Sequence, residues 1–249
     1  MFKKTVIPFA SIGLFFLVWV IAASLVADSQ ILPQPYSLVG PFWKELQSGD
    51  LTYHLSQTLI RVVWAFVLAM VLGSAIGFSM GRSDSLNRWL DPWLVVFLNL
   101  PALVLIVLCY LWIGLNETAA IAAVTLNKVP NVAITIREGA RALSPETDAL
   151  AKVYRMSGWA RLKHVHLPQM APFIAAAARG GIAVIWKIVL VVELLGRSNG
   201  VGFQIHLFFQ LFDVGMVLVY AFSFIAVMLL VEWVIVQPWE RATRRWRGT

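Results

Sequence analysis

The sequence predicts an all-α polytopic membrane protein of six transmembrane helices, and three observations carry that prediction. Hydrophobic residues make up 59% of the 249 and charged residues only 13%, against about 45–50% and about 25% in soluble domains. Six segments are apolar over the roughly 20 residues that a helix needs to cross a hydrocarbon core. The basic residues gather in alternate connections between those segments. So apolar a chain, with mean hydropathy +0.77, lacks the polar surface to coat a water-soluble globule. A soluble enzyme, a disordered tail and a fibrous protein are thereby excluded. The single cysteine, Cys109, excludes a disulfide framework and a multi-cysteine metal site.

The first segment, residues 5–27, is uncharged, and it exceeds the apolar core of a signal peptide without a small-x-small cleavage site at its end. The second, 62–81, is also uncharged and carries Gly73 and Gly77 four apart, a spacing suited to close helix–helix contact. The third, 92–116, is interrupted by Asn99 and Pro101. The fourth, 118–136, contains Lys128 followed by Pro130. The fifth, 169–195, carries Arg179, Lys187 and Glu193, and the sixth, 214–231, is free of charge. With the N-terminus inside, the two chain ends, the 82–91 connection and the 137–168 loop hold fourteen of the 20 Lys and Arg, whereas the outer pieces hold Lys44 and Arg197 alone. That bias places both termini in the cytoplasm. The net charge of +7 and the pI of about 9.9 then record topology and contact with anionic lipid, not nucleic-acid binding. Trp64, Trp89, Trp93, Trp233, Trp239 and Trp246 lie near predicted ends, where an interfacial aromatic belt would sit.

Two connections carry structure of their own. The outer piece 28–57 has Pro33, Pro35 and Pro41, then an amphipathic stretch 37–46 expected to lie along the interface. The 137–168 loop holds Ser144-Pro145-Glu146, an N-cap, a first-turn proline and an acid at the positive helix end, with Asp148 adding a second acid. A helix is expected through Arg155, stopping near Gly158 in a left-handed conformation. A second short helix, 159–166, should follow and be broken by Leu167-Pro168. Such a knob, with small Ala149 and Ala151 beside Leu150, Val153, Tyr154 and Met156, suits docking into a groove on a soluble partner. The alternative, a basic loop on lipid headgroups, accounts for Lys152, Arg155, Arg161 and Lys163 but not for the apolar residues.

These residues resemble a known family. The run Ala149-Leu150-Ala151, then Val165-His166-Leu167-Pro168, then Arg179-Gly180-Gly181 and Trp186, is similar to the membrane subunits of ATP-binding-cassette importers of type I. In those permeases this loop forms a coupling helix seated in a cleft of the ATPase. Within the family the nitrate, sulfonate and taurine permeases are the subgroup resembled, together with relatives handling pyrimidine precursors of thiamine. Ile31-Leu32-Pro33-Gln34-Pro35, Gly77 and Gly81, Leu100-Pro101, Trp112 to Glu117, Val192-Glu193-Leu194-Leu195 and Gly200-Val201-Gly202 add to the likeness. There are departures: the family's glutamate falls on Ala149, its first alanine on Leu150 and its glycine on Arg155, with Gly158 three residues later. A usual proline pair is Pro101-Ala102, and a later proline is Val107.

The resemblance implies a single permease domain over 1–249, with a family core of about 54–239 and the coupling loop at 137–168. It implies ATPase coupling through Ala149, Leu150, Ala151, Val153, Tyr154, Arg155 and Gly158. It also implies a second permease copy, most simply a homodimer, a separate ATPase subunit, an extracytoplasmic solute-binding protein and a bacterial cytoplasmic (inner) membrane. Alternating access would then move a small organic or inorganic anion. The chain itself shows no G-x-x-x-x-G-K-[ST] loop and no catalytic constellation, so no enzymatic activity, cofactor or metal is expected. His164 and His166, two apart, point to different faces of a helix.

Intramembrane ionisable residues are costly and usually face a bundle interior or a water-filled cavity. At about 100° per residue, Arg179, Lys187 and Glu193 fall within one face about 120° wide. That face either lines the translocation path or packs on the partner permease. Alternatively Arg179 and Glu193 snorkel at opposite interfaces while Lys187 pairs with a neighbour. Lys128 is a further path candidate, because Pro130 beside it frees a backbone carbonyl, and Asn99, which interrupts the third segment, is another. The alternatives in function are an ion-gradient-driven secondary transporter and a permease for a thiamine-precursor-like pyrimidine.

Overall fold

A computed structural model of the chain describes residues 3–238. Trp239, Trp246, Arg241, Arg244, Arg245 and Arg247, like the extreme termini whose sidedness was read above, lie outside the described residues. Helix α1 (Lys3–Val26) leads through a 3₁₀ turn at Pro35–Leu38 into the short α2 (Val39–Ser48). Two long helices then frame the bundle, α3 (Asp50–Arg82) and α6 (Glu117–Arg141), separated by α4 (Asp84–Asn99) and α5 (Ala102–Ile113). The loop helices α7 (Pro145–Val153) and α8 (Gly158–Arg161) precede α9 (Leu167–Gly196), the short α10 (Val201–Gln210) and α11 (Val214–Val231). No strand occurs among the described residues.

Four stretches are unbroken and apolar enough to cross a membrane: α3, α6, the continuous 158–196 and α11 extended to Val234. The predicted third span is instead two helices bent by 100° at the Leu100-Pro101 break. Pro101 lacks the N–H that would continue the ladder, and Leu100 before it takes an extended conformation. The first span contributes a shorter apolar stretch, Ala10–Val26. The second span starts earlier than its apolar run implies, at Asp50, so Trp64 sits well inside α3 and not at an end.

Two loop expectations are corrected. Leu167-Pro168 does not break the helix after residue 166. A π turn at Leu162–His166 carries it directly into α9, with the Leu167 N–H bonded to the Leu162 carbonyl. The π turn shifts the hydrogen-bond ladder just before Pro168 and so accommodates its missing N–H within the continuous helix. Nor does Gly158 take the left-handed stop. That residue is Arg155, at φ 50°. Met156 N–H bonds the Ala151 carbonyl (3.0 Å) and Arg155 N–H that of Lys152 (2.9 Å), the paired bonds of a Schellman ending.

Helices α3 and α6 run parallel, and α9 runs antiparallel to both. Their apolar core includes Val62, Ala65, Ala123, Val124, Ile185 and Val189. Close approach of α3 to α6 depends on glycine: a Cβ at Gly77 would strike the Ala133 backbone, and one at Gly73 the Val132 side chain. Helix α1 stands apart, fastened where Trp19 stacks on Phe222 (5.1 Å between centroids) and donates from Nε1 to the Pro33 carbonyl (3.2 Å). The bundle thus has an α7 end and an α10 end.

Candidate functional site

At the α7 end the Ser144 hydroxyl caps α7 by accepting the Thr147 N–H (3.3 Å), and Glu146 and Asp148 occupy the first turn. Asp148 points inward and is buried among three partners. Its carboxylate accepts from Arg82 Nη2 (2.5 Å), Arg161 Nε (3.1 Å) and His166 Nε2 (2.8 Å). Burial pushes this carboxyl up, but the hydrogen bonds of His166, Arg161 and Arg82, with the charge of Arg82, outweigh it and hold the group well below its ordinary value. Gln169 of α9 adds a second fastening: its Oε1 accepts the Ser144 N–H (3.1 Å) and its Nε2 donates to Thr147 Oγ1 (3.0 Å).

Ala151 also faces inward and is buried, whereas Ala149, Leu150, Val153, Tyr154, Arg155 and Gly158 are exposed. Val153 is 77% and Tyr154 74% accessible, with Leu150 and Trp159 alongside. A rigidly held helix that turns large apolar side chains outward is an interaction surface by the usual physical criterion.

The intramembrane candidates differ in their surroundings within the chain. Glu193 is wholly buried (0% exposed), while Arg179, Lys187 and Asn99 are exposed. The Asn99 amide donates to its own helix, at the Val95 carbonyl (2.8 Å). Lys128 is 6% exposed and donates from Nζ to the Gly180 carbonyl (3.2 Å). No acidic group pairs with it among the described residues. One turn before Lys128, the buried Thr125 hydroxyl has no hydrogen-bond partner. It borders a groove of about 460 Å³ between α3 and α6, lined also by Trp64, Leu68, Thr118 and Ile121.

At the α10 end lies a buried ionic cluster that sequence reasoning missed. Its centre is Arg61, 1% exposed. Nε and Nη2 donate to Glu117 (2.7 and 3.0 Å) and Nη1 to Glu193 Oε1 (2.6 Å) and the Asn199 carbonyl (3.0 Å). Nη2 also donates to Asn199 Oδ1, so all five guanidinium hydrogens are used. Glu193 further accepts from Thr58 Oγ1 (2.9 Å) and the Gly202 N–H (2.8 Å). Arg197 joins from outside, pairing with Glu117 (3.0 Å). His54 Nδ1 accepts the Gly200 N–H (3.0 Å), and its Nε2 lies 2.6 Å from the Gln204 amide nitrogen. The Gln204 Oε1 is buried without a partner. Turning that amide over satisfies both groups, with the His54 Nε2–H donating to the oxygen. Arg61 directly precedes the charge-free run, which made it look like a span edge. The missed signal is the helix-compatible sequence upstream, from Asp50.

Among the described residues no group of three His, Cys, Asp or Glu could hold a metal ion. The two clusters fasten helices together, and the exposed face of α7 offers contact; neither arrangement presents a nucleophile to a pocket.

The family model for "Binding-protein-dependent transport system inner membrane component" matches residues 65–237. The aliphatic sulfonates transport permease protein SsuC of Escherichia coli K12 is 35% identical over 187 residues, which are 75% of this chain and 71% of that one. The riboflavin transport system permease protein RibX of Chloroflexus aurantiacus is 31% identical over 219 residues, 88% of this chain and 81% of that one. Among solved structures, a chain of an amino acid ABC transporter superposes with a TM-score of 0.64 at 20% identity, covering 81% of this chain and 98% of that one.

Proposed function

Because the chain belongs to the family of binding-protein-dependent transport system inner membrane components, we propose that it works as one of two permease copies around a shared path, driven through α7 by a separate ATPase. As a member of that family it is a membrane subunit of an ATP-driven importer and has no enzymatic activity of its own. The observation that carries the coupling is α7 itself. Its inner side is tied down by Asp148 and Ala151, and its outer side offers Leu150, Val153 and Tyr154. An ATPase can bias two transport states only through contacts that differ between them. A clamped helix with an apolar tip supplies such a contact without absorbing the motion itself. On this reading α7 lies in the cytoplasm of a bacterial inner membrane with both termini, and the α10 end receives an extracytoplasmic solute-binding protein. Replacing Leu150 and Tyr154 together by Asp should abolish co-purification of the ATPase and all uptake while membrane insertion stays intact. Normal ATPase retention and transport in that double variant would place docking elsewhere.

For the solute, we infer a small molecule with an anionic group. Lys128 supports this: its buried ammonium donates to the Gly180 carbonyl and pairs with no acidic group among the described residues, so its charge would favour an anion. It lies one turn beyond the Thr125 hydroxyl that borders the α3–α6 groove. The aliphatic sulfonates in the name of one relative have the matching charge. Substituting Lys128→Met should lower uptake of a short alkanesulfonate by about tenfold, the equivalent of about 1.4 kcal/mol, with ATPase binding unchanged. Unaltered affinity and rate would remove Lys128 from the path.

A further inference from the structure

The two ionic clusters sit at opposite ends of the same pair of helices. At the α7 end Asp148 bonds Arg82, the last residue of α3, and at the same time Arg161 and His166, which lead without interruption into α9. At the α10 end Glu193 of α9 bonds Arg61 and Thr58 of α3. From Arg61 to Arg82 the rise along α3 is about 32 Å, close to the whole hydrocarbon thickness of about 30 Å. Two antiparallel helices fastened at both ends cannot slide along each other without breaking a buried charged bond. The close-packed interior between them resists compression.

The second cluster does more than join α3 to α9. Three consecutive N–H groups at the start of α10 are unsatisfied within that helix, and each goes to a different side chain of the pair. Gly200 donates to His54, Val201 to Thr58 Oγ1 (2.9 Å) and Gly202 to Glu193. The Glu193 charge also faces the positive end of α10. Glycine permits this approach: Gly200 sits at φ +107°, and a Cβ on Gly202 would meet the Leu190 carbonyl. The start of α10 is therefore held by α3 and α9 side chains, just as α7 is held by them at the other end.

We propose that α3 and α9 form one strut that carries a displacement of α7 to α10, with Asp148 and Glu193 as its two positioning residues and α10 as the element that moves at the far end. The proposal rests on the reading that the ATPase docks on α7, and its test separates the two. The assembled complex with its ATPase partner is reconstituted in lipid nanodiscs on a Cys109→Ala background. Phe209→Cys, exposed on α10, reports the motion through its rate of modification by a maleimide, with and without a non-hydrolysable ATP analogue. The nucleotide should change that rate in the parent complex. The change should be lost in Glu193→Gln and in Asp148→Asn, although ATPase remains bound and still hydrolyses ATP. Thr58→Val, which deletes only the hydroxyl between Glu193 and the Val201 amide, should lose it too and guards against a folding defect in the charge variants. A nucleotide-dependent rate that persists in Glu193→Gln, Asp148→Asn or Thr58→Val overturns the strut, as does a parent complex whose Phe209→Cys rate ignores nucleotide. Retention of ATPase by the Leu150, Tyr154 double variant would instead sink the docking reading, through a separate measurement.

Discussion

Arg155 occupies a backbone conformation that an L-residue adopts at a cost, about 1–2 kcal/mol for a non-glycine side chain in the left-handed region. Its N–H and that of Met156 nonetheless close α7 with two hydrogen bonds, so the fold needs this residue left-handed whatever its side chain. Glycine there would remove the strain but add freedom to the unfolded chain, worth about 0.4–1 kcal/mol in the opposite direction. The first effect is the larger. Arg155→Gly should therefore raise the stability of the chain by about 0.5 kcal/mol or more, read as a higher melting midpoint in detergent. A lower midpoint would mean that the Arg155 side chain holds the loop by contacts of its own. Reading the sequence, the only glycine in reach, Gly158, took the stop, because composition cannot show which of two neighbouring residues turns left-handed. The same passage identifies Asp148 as a helix-start acid but not as a hub, since Arg82 and His166 are brought to it from distant segments.

Among the elements, the long helices were legible because their apolar runs reach the roughly 20 residues that a membrane crossing needs. Their exact ends were not, since polar residues before Val62 and after Ile136 continue the helical ladder inside the protein. Pro101 announced a break in the third span, but its 100° bend was not legible. Pro168 gave the opposite error: a proline that usually ends a helix is accommodated by the π turn before it. The exposed half of the α7 site could be read from sequence, but the Arg61–Glu193 cluster could not, because Arg61 lies 132 residues from Glu193 and 56 from Glu117. Gly73 and Gly77 were recognisable as a packing pair, and the structure gives them unequal partners. A Cβ at Gly77 would meet main chain, which cannot rotate away, and α3 and α6 would have to separate. Gly77→Ala should thus cost about 1–3 kcal/mol. Gly180→Ala, with nothing near its Cβ position, should be neutral or gain up to about 1 kcal/mol through helix propensity. Thermal melts of the two variants in the same detergent make the comparison, and equal losses would refute the close-contact account.

Over the whole molecule, charge is divided unequally between the two ends of the bundle, and that division predicts how it sits in a membrane. Arg82, Arg88, Arg137, Arg141, Lys152, Arg155, Arg161 and Lys163 lie toward the α7 end, while the α10 end has Lys44 and Arg197 besides the neutralised Arg61. Several of the former are themselves paired, Arg137 with Asp91 and Glu138, Arg141 with Glu138. Translocation, however, is governed by the Lys and Arg count near the span ends, with acids contributing little. Moving the α7 end across the membrane would also carry its cations away from the anionic inner leaflet, at about 1 kcal/mol for each one near the surface. The α7 end should therefore face the cytoplasm, and with it the face of α7 proposed to meet the ATPase. A cysteine at Val153 or at Phe212, both strongly exposed, tests this on the Cys109→Ala background, because the two positions lie at opposite ends. A membrane-impermeant maleimide should label Phe212→Cys in intact spheroplasts and Val153→Cys in inverted vesicles alone. The reverse pattern would put α7 beyond the reach of any nucleotide-driven partner and leave the strut with nothing to push it.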